Sequence, residues 1–318
     1  MENSNENQLQ EQFYKYRGVT KCLSAGISFL TDNFKHIVRL SLPVAVLLSV
    51  LCASVFYVMS DSRLQQVLLS GSQFSGRQMA SMLLLIPVMI LIYAVVFLFN
   101  GLIYREVKIY SHGIPLKRFP MIPTYKLAAK YGLKIFCLAV VVFAIGFVCG
   151  FASVTPMLIN TEGQVFLYLR IAITIILFVS IIVLAIPFNL SIPAMFLNKG
   201  KALKLAWRGY RQGLKVWGKV FCLSLLISLL GAFIMFVLVM PAIVMVSCYQ
   251  SATLSQLYGD AATLPSGFHL LYFIVLVLSV YMMTFTTWVQ IASFCYLYAA
   301  VKCDEKEEKK NDYLKKFN

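Results

Sequence analysis

Six stretches of this chain run for 20 residues or more without a single Asp, Glu, Lys or Arg. They cover residues 40–60, 78–104, 135–161, 171–198, 220–259 and 261–301. A helix of roughly 20 apolar residues crosses the ~30 Å hydrocarbon core of a bilayer. A strand of that length would leave its backbone groups unpaired in lipid, so helix is the only spanning form open to these runs. Composition agrees: 60% of the residues are hydrophobic and 13% are charged, against about 45–50% and about 25% in a soluble domain. The expectation is an all-α polytopic membrane helix bundle with six transmembrane helices. Trimmed to their most apolar parts, the spans are about 40–60, 79–104, 135–158, 171–197, 220–248 and 270–300. A polar tail precedes them over residues 1–17, the membrane domain runs over 18–301, and 302–318 reads as a charged, mobile tail. The N-terminal stretch lacks the apolar core and cleavage site of a secretory signal, so the first span is expected to serve as an uncleaved insertion signal.

Basic residues orient the spans, because Lys and Arg are retained on the cytoplasmic side. Lys15, Arg17, Lys21, Lys35 and Arg39 precede the first span. Seven more lie between Arg105 and Lys134, seven between Lys199 and Lys219, and six in the tail from Lys302. The opposite segments hold Arg63, Arg77 and Arg170 alone. Both termini are therefore expected in the cytoplasm. The net charge of +15 belongs to membrane-flanking segments and comes without any nucleic-acid-binding module. The expected partner is membrane lipid, anionic in character, with no nucleic acid.

A repeat underlies the layout. Residues 125–138, YKLAAKYGLKIFCL, match residues 210–223, YRQGLKVWGKVFCL, without a gap. Tyr125 pairs with Tyr210, Lys126 with Arg211, Lys130 with Lys215 and Lys134 with Lys219. Lys35 and Arg39 repeat the spacing before the first span. Three units result, each an amphipathic helix followed by a membrane hairpin.

The clearest amphipathic segment is 199–219. Leu203, Trp207, Tyr210, Leu214 and Trp217 recur at steps of three and four, one face of a helix. Lys201, Lys204, Arg208, Arg211, Lys215 and Lys219 follow the same spacing on an adjoining face. Together with Lys126, Lys130 and Lys134, they are the candidate membrane-surface residues. Gly209 and Gly213 each weaken a helix by roughly 1 kcal/mol relative to Ala, so lipid or protein must support it. Such a segment can anchor the spans, bind a lipid headgroup or dock a cytoplasmic protein. Val19 to Val38 repeats the pattern through Leu23, Ile27, Leu30, Phe34 and Ile37.

Ionisable residues inside a membrane usually mark function. None falls mid-span here, and Glu106, beside Arg105 at a span end, is expected to meet water. The polar residues left for a substrate pathway are Asn100, Asn189 and Gln290, together with Pro187 and Pro193 in AIPFNLSIPAMF. The two prolines free the carbonyls of Val183 and Asn189, with Asn189 and Ser191 placed to help re-satisfy the backbone. Interhelical hydrogen bonding is the simplest role for the three amides. His36, His112 and His269 fall on separate segments, and no phosphate loop, metalloprotease helix or serine elbow is present. No catalytic set, metal site or cofactor is expected. The eight cysteines form no CxxC pair and read as packing residues.

The stretch FLNKGKALKLAWRGYRQGLKVWGKVFCLSLL resembles bacterial six-helix membrane proteins of no assigned activity. Among these is the membrane domain fused to some glycerophosphodiester phosphodiesterases. The likeness is strongest over 197–230 and extends loosely to all three units. It implies a bacterial cytoplasmic membrane and carries over no catalytic residue.

Overall fold

The computed structural model describes residues 11–59, 76–114, 116, 121–158, 164–257 and 264–317. Asp61, Arg63, Pro115, Pro120, Glu162 and Asp260 lie outside them. Within them the chain is helical and has no strand. In chain order the helices are α1 (Val19–Asp32), α2 (Phe34–Met59), α3 (Gly76–Ser111), α4 (Met121–Leu158) and α5 (Gln164–Ala185). A 3-10 turn (Ile186–Leu190) follows, then α6 (Ser191–Leu197), α7 (Ala202–Lys215), α8 (Trp217–Leu257) and α9 (Phe268–Phe317).

Five segments among the described residues are long and apolar enough to cross a membrane: Phe34–Met59, Leu85–Ser111, Pro123–Ala144, Trp217–Ala252 and Phe268–Glu305. Helix α5 occupies the remaining expected span. Its 22 residues rise about 33 Å at 1.5 Å each, enough for the hydrocarbon core. The all-α membrane bundle read from the apolar runs is therefore the fold. Pro43, Pro87 and Pro241 sit inside α2, α3 and α8 without ending them. The Pro187–Pro193 stretch behaves differently. There α5 stops at Ala185 and the chain tightens into the 3-10 turn before α6.

Among the described residues, packing is concentrated at one end of the bundle. Every residue from 291 to 301 is buried, which makes this part of α9 apolar and enclosed on all sides, a central post. Helix α1 lies against it and buries Cys22, Gly26 and Phe29. The basic ends of α2 and α3 close around it, as does α6. Trp288 is fully buried with Phe99 edge-on at 6.4 Å, and Tyr104 stacks on Phe196 at 4.9 Å. The first and last described segments meet here: Phe13 packs on Tyr296, and the Arg17 guanidinium sits 5.0 Å above the same ring. At the opposite end Tyr57 hydrogen-bonds His269 across 3.0 Å and links α2 to α9.

Residues 302–317, expected as a mobile tail, continue α9 as helix. Asp304 and Glu305 bind back onto the bundle, accepting from Lys219 at 3.0 Å and from Gln212 at 2.8 Å. These acids hold the first turns after the span in place, which composition did not disclose.

Helices α1 and α7 form a matched pair. Each has 14 residues, and each is followed by a single non-helical residue before its span. That residue is Asn33 (φ −109°, ψ 14°) in one case and Val216 (φ −110°, ψ 31°) in the other. The matched breaks align Gly26 with Gly209 and Ser41 with Ser224. They place Lys35 three residues away from the register its spacing to Lys215 had implied. Residues 125–138, which the sequence aligned with 210–223, run unbroken through α4.

Candidate functional site

Helix α7 divides into three lengthwise sectors. Its buried residues are Ala206, Gly209, Gln212 and Gly213, and these face the protein. A Cβ added at Gly209 would lie 2.5 Å from the Ala194 Cβ and 2.7 Å from the Leu190 carbonyl oxygen. One at Gly213 would lie 2.7 Å from the Pro187 carbonyl oxygen. The two glycines are the small-xxx-small seam that lets α7 lie directly on the 3-10 turn. The support that their weak helix propensity required is thus backbone contact with the protein.

The apolar face of α7 points outward. Leu203 is 66% exposed, Trp207 60% and Leu214 42%. Tyr210 and Trp217 have a second task. Pro187 leaves the Val183 carbonyl without its helical donor, and the Trp217 indole Nε1 donates to it at 3.0 Å. The Tyr210 hydroxyl donates to the next carbonyl, Leu184, at 3.2 Å. The expectation that Asn189 and Ser191 would serve this break is therefore corrected. Asn189 Nδ2 reaches Ser224 Oγ on α8 at 3.2 Å, and the Ser191 hydroxyl is buried without a hydrogen-bond partner among the described residues. The matching tyrosine of the middle unit acts alike, since Tyr125 donates to the Leu40 carbonyl of α2 at 2.5 Å.

Between the exposed apolar sector and the buried one lie the cations. Lys199, Lys201, Lys204, Arg208, Arg211 and Lys215 line one open hollow of about 1130 Å³, with Trp207 at its apolar edge. Among the described residues its one lining carboxylate is Glu305, engaged by Gln212. The turn bearing Lys199 is pinned by Asn198. The Asn198 carboxamide donates to the Ala194 carbonyl at 2.7 Å, bonds the Tyr298 hydroxyl at 2.6 Å, and accepts from Lys302 Nζ at 2.7 Å. Five of the sequence candidates therefore share one surface with Lys199. Lys219 does not join them. It pairs with Asp304 and lies 5.7 Å over the Tyr16 ring. Lys126, Lys130 and Lys134 are exposed on α4, and Lys134 stands 5.8 Å over the Tyr131 ring.

The candidate pathway residues are not gathered. Asn100 donates at 3.0 Å to Val96 within its own helix, so its role is local instead of interhelical. Gln290 lines a hollow of about 180 Å³ between α8 and α9, which none of the other four touches. Pro187 and Pro193 are buried in the turn and in α6.

Glu106 departs most from expectation. Its side chain has no exposure at all. Arg105 pairs with one carboxylate oxygen, and His36 Nε2 lies 3.3 Å from the other. A buried carboxylate is tolerable only when paired and hydrogen-bonded, and these two residues supply the partners. His36, on α2, joins two helices far apart in sequence, a neighbour that chain order could not reveal.

Outside the spans, burial lowers the proton affinity of His112, with Lys108 and Lys199 adding repulsion. Burial likewise pushes the Cys22 thiol up to about 11, against the opposing pull of Arg17 and Lys219. No family model matches this chain, and neither characterised proteins nor solved structures give a match.

Proposed function

We propose that this membrane protein is a non-enzymatic component that engages anionic lipid headgroups at its basic end. One observation carries the reading: α7 turns small residues to the protein and aromatic and aliphatic residues outward, with a stripe of cations between. Such a helix suits the plane of the interface, its exposed ring at headgroup depth and its cations toward phosphate. The basic end faces the cytoplasm on this reading, because the cation-rich connections lie there. Both termini are then cytoplasmic, and the resemblance of 197–230 favours a bacterial inner membrane. The matched α1 and α7 elbows, and the two tyrosines that cap span carbonyls, favour descent from a repeated unit.

Each Lys or Arg near an anionic leaflet contributes about 1 kcal/mol. Changing Lys204, Arg208, Arg211 and Lys215 together to Gln removes about four such contributions. The test compares thermal stabilisation by phosphatidylglycerol and by phosphatidylcholine in nanodiscs. Wild type should gain from the anionic lipid, more at low salt than high, and the quadruple variant should not. Equal stabilisation of both proteins would refute the reading.

A second reading, a transporter or flippase for an apolar or amphipathic solute, draws on the hollows along the α8–α9 seam. One of about 180 Å³ lies beside Gln290, and one of about 570 Å³ lies farther from the basic end. An Asn189→Leu variant that still moves a fluorescent lipid between leaflets at the wild-type rate would remove the role of Asn189 in it.

A further inference from the structure

Of the five candidate spans, α8 is the least enclosed: 6% of its most apolar window is buried, against 28% for α2 and for α3. Among the described residues it meets α9 along a seam that holds a hollow on the side away from the basic end. The larger hollow lies there, about 570 Å³, within the ~300–1,000 Å³ range of small-molecule sites.

Its shape follows from the helices that line it. On α9 the lining runs from Tyr272 to Met283, about 17 Å at 1.5 Å per residue. On α8 it runs from Met235 to Gln250, about 22 Å by the same rise. Polarity changes along that length. Ser247, Gln250 and Tyr272 stand at the end away from the basic pole beside Phe56 and Met59 of α2, whereas Met235, Val239, Val280 and Met283 line the deep end and offer no polar group. The deep Ser279 hydroxyl is spent on the Leu238 carbonyl at 2.9 Å. Among the described residues, no Asp, Glu, Lys, Arg or His lines the hollow. Tyr57, Tyr249, Phe268 and His269 cluster around Tyr272 beside the polar mouth. Such aromatic belts sit at headgroup level.

We propose that this groove holds one acyl chain of a phospholipid from the leaflet opposite the basic end. The headgroup lies at the aromatic mouth and the chain terminus lies against Met235 and Met283. A long, narrow hollow whose described lining is uncharged, with its polar side chains at the mouth, matches a chain entering end-on, and thioether side chains adapt to a flexible chain. This inference goes beyond headgroup binding at the basic end and stands or falls separately, since it concerns other residues and the other leaflet.

The experiment reconstitutes the full chain in phosphatidylcholine vesicles containing a phosphatidylcholine with a diazirine near one chain terminus. After irradiation, adducts are mapped by mass spectrometry. Peptides bearing Met235, Val239 and Met283 should carry roughly tenfold more adduct than the outward-facing Phe143, Phe147 and Leu229, a ratio equal to about 1.4 kcal/mol of preference. Val239→Trp fills the groove and should bring the excess to parity while helical content stays unchanged. Met235→Trp serves the same purpose if the first variant does not fold. Equal labelling of groove and reference sites in wild type, meaning ordinary surrounding lipid only, would overturn the proposal. So would an excess that survives both substitutions. A diazirine fatty acid that labels the groove when the phospholipid does not would assign the hollow to a free acid and refute the lipid named here.

Discussion

Replacing Glu106 by Ala should destabilise the bundle severely, whereas replacing Glu106 and Arg105 together should cost less. Glu106 has no exposed side-chain surface and Arg105 has 7%, so neither charge can turn to water when its partner is lost. Breaking a buried ion pair from one side costs about 3–5 kcal/mol, because the remaining charge is left buried. Exchanging both members for apolar residues of similar volume is often neutral or stabilising. Glu106→Ala should therefore shift the folding equilibrium by at least about a hundredfold, at 1.4 kcal/mol per factor of ten. Arg105→Met with Glu106→Leu removes both charges of the pair and leaves only the part-exposed His36 without its partner, so it should be the more stable of the two variants. The assay is reversible unfolding in mixed micelles as the denaturing detergent fraction is raised, followed by circular dichroism. A Glu106→Ala variant within about 1 kcal/mol of wild type would refute the burial argument. So would a double variant as unstable as the single one.

Gly213→Leu should lower the unfolding free energy by about 1–3 kcal/mol, the usual penalty for overpacking, because the Pro187 carbonyl occupies the space its Cβ would enter. Leu214→Ala, one residue away but outward-facing, should change micellar stability by less than about 0.5 kcal/mol. Trp217→Phe keeps an aromatic ring, smaller than the indole, and removes the donor to the Val183 carbonyl; a loss of about 1–3 kcal/mol in the same titration is expected, and no loss would mean that water replaces the indole. The Cys22 thiol, raised to about 11 by burial, should resist a water-soluble alkylating reagent at neutral pH. Its labelling rate should climb about tenfold per pH unit below that value, because the thiolate is the reacting form. A thiol whose proton affinity is raised by folding stabilises the fold below its ordinary value of 9.0, and that contribution is lost as pH rises toward about 11. Stability that fell on acidification through neutral pH because of Cys22 would contradict this sign.

The spans were legible because hydrocarbon solvation acts on run length alone, and no tertiary knowledge is needed to read 20 uncharged residues. The cationic stripe of α7 was legible for a similar reason, since helical spacing places Lys204, Arg208, Arg211 and Lys215 on one side. What spacing could not assign was which face meets protein. Leu203, Trp207 and Leu214 are the more hydrophobic set, yet in a membrane chain apolar surface has no preference for protein over lipid. Close approach decides instead, and Gly209 and Gly213 permit it. The Val183–Trp217 bond joins residues 34 apart, and the His36–Glu106 contact joins residues 70 apart. Periodicity carries no record of either. Lys219 fits the cationic pattern of α7 but lies past the Val216 break, and so it answers to Asp304.

A single non-helical residue separates an amphipathic helix from the span after it at Asn33 and at Val216, whereas α4 is one uninterrupted helix from Met121 to Leu158. Each break frees the shorter helix from the axis of its span, so α1 can lie along α9 and α7 along the turn after α5. The basic turns of α4 have no such freedom: Lys126 and Lys130 ride on the same rod as the apolar residues that follow, and take their height and tilt from it.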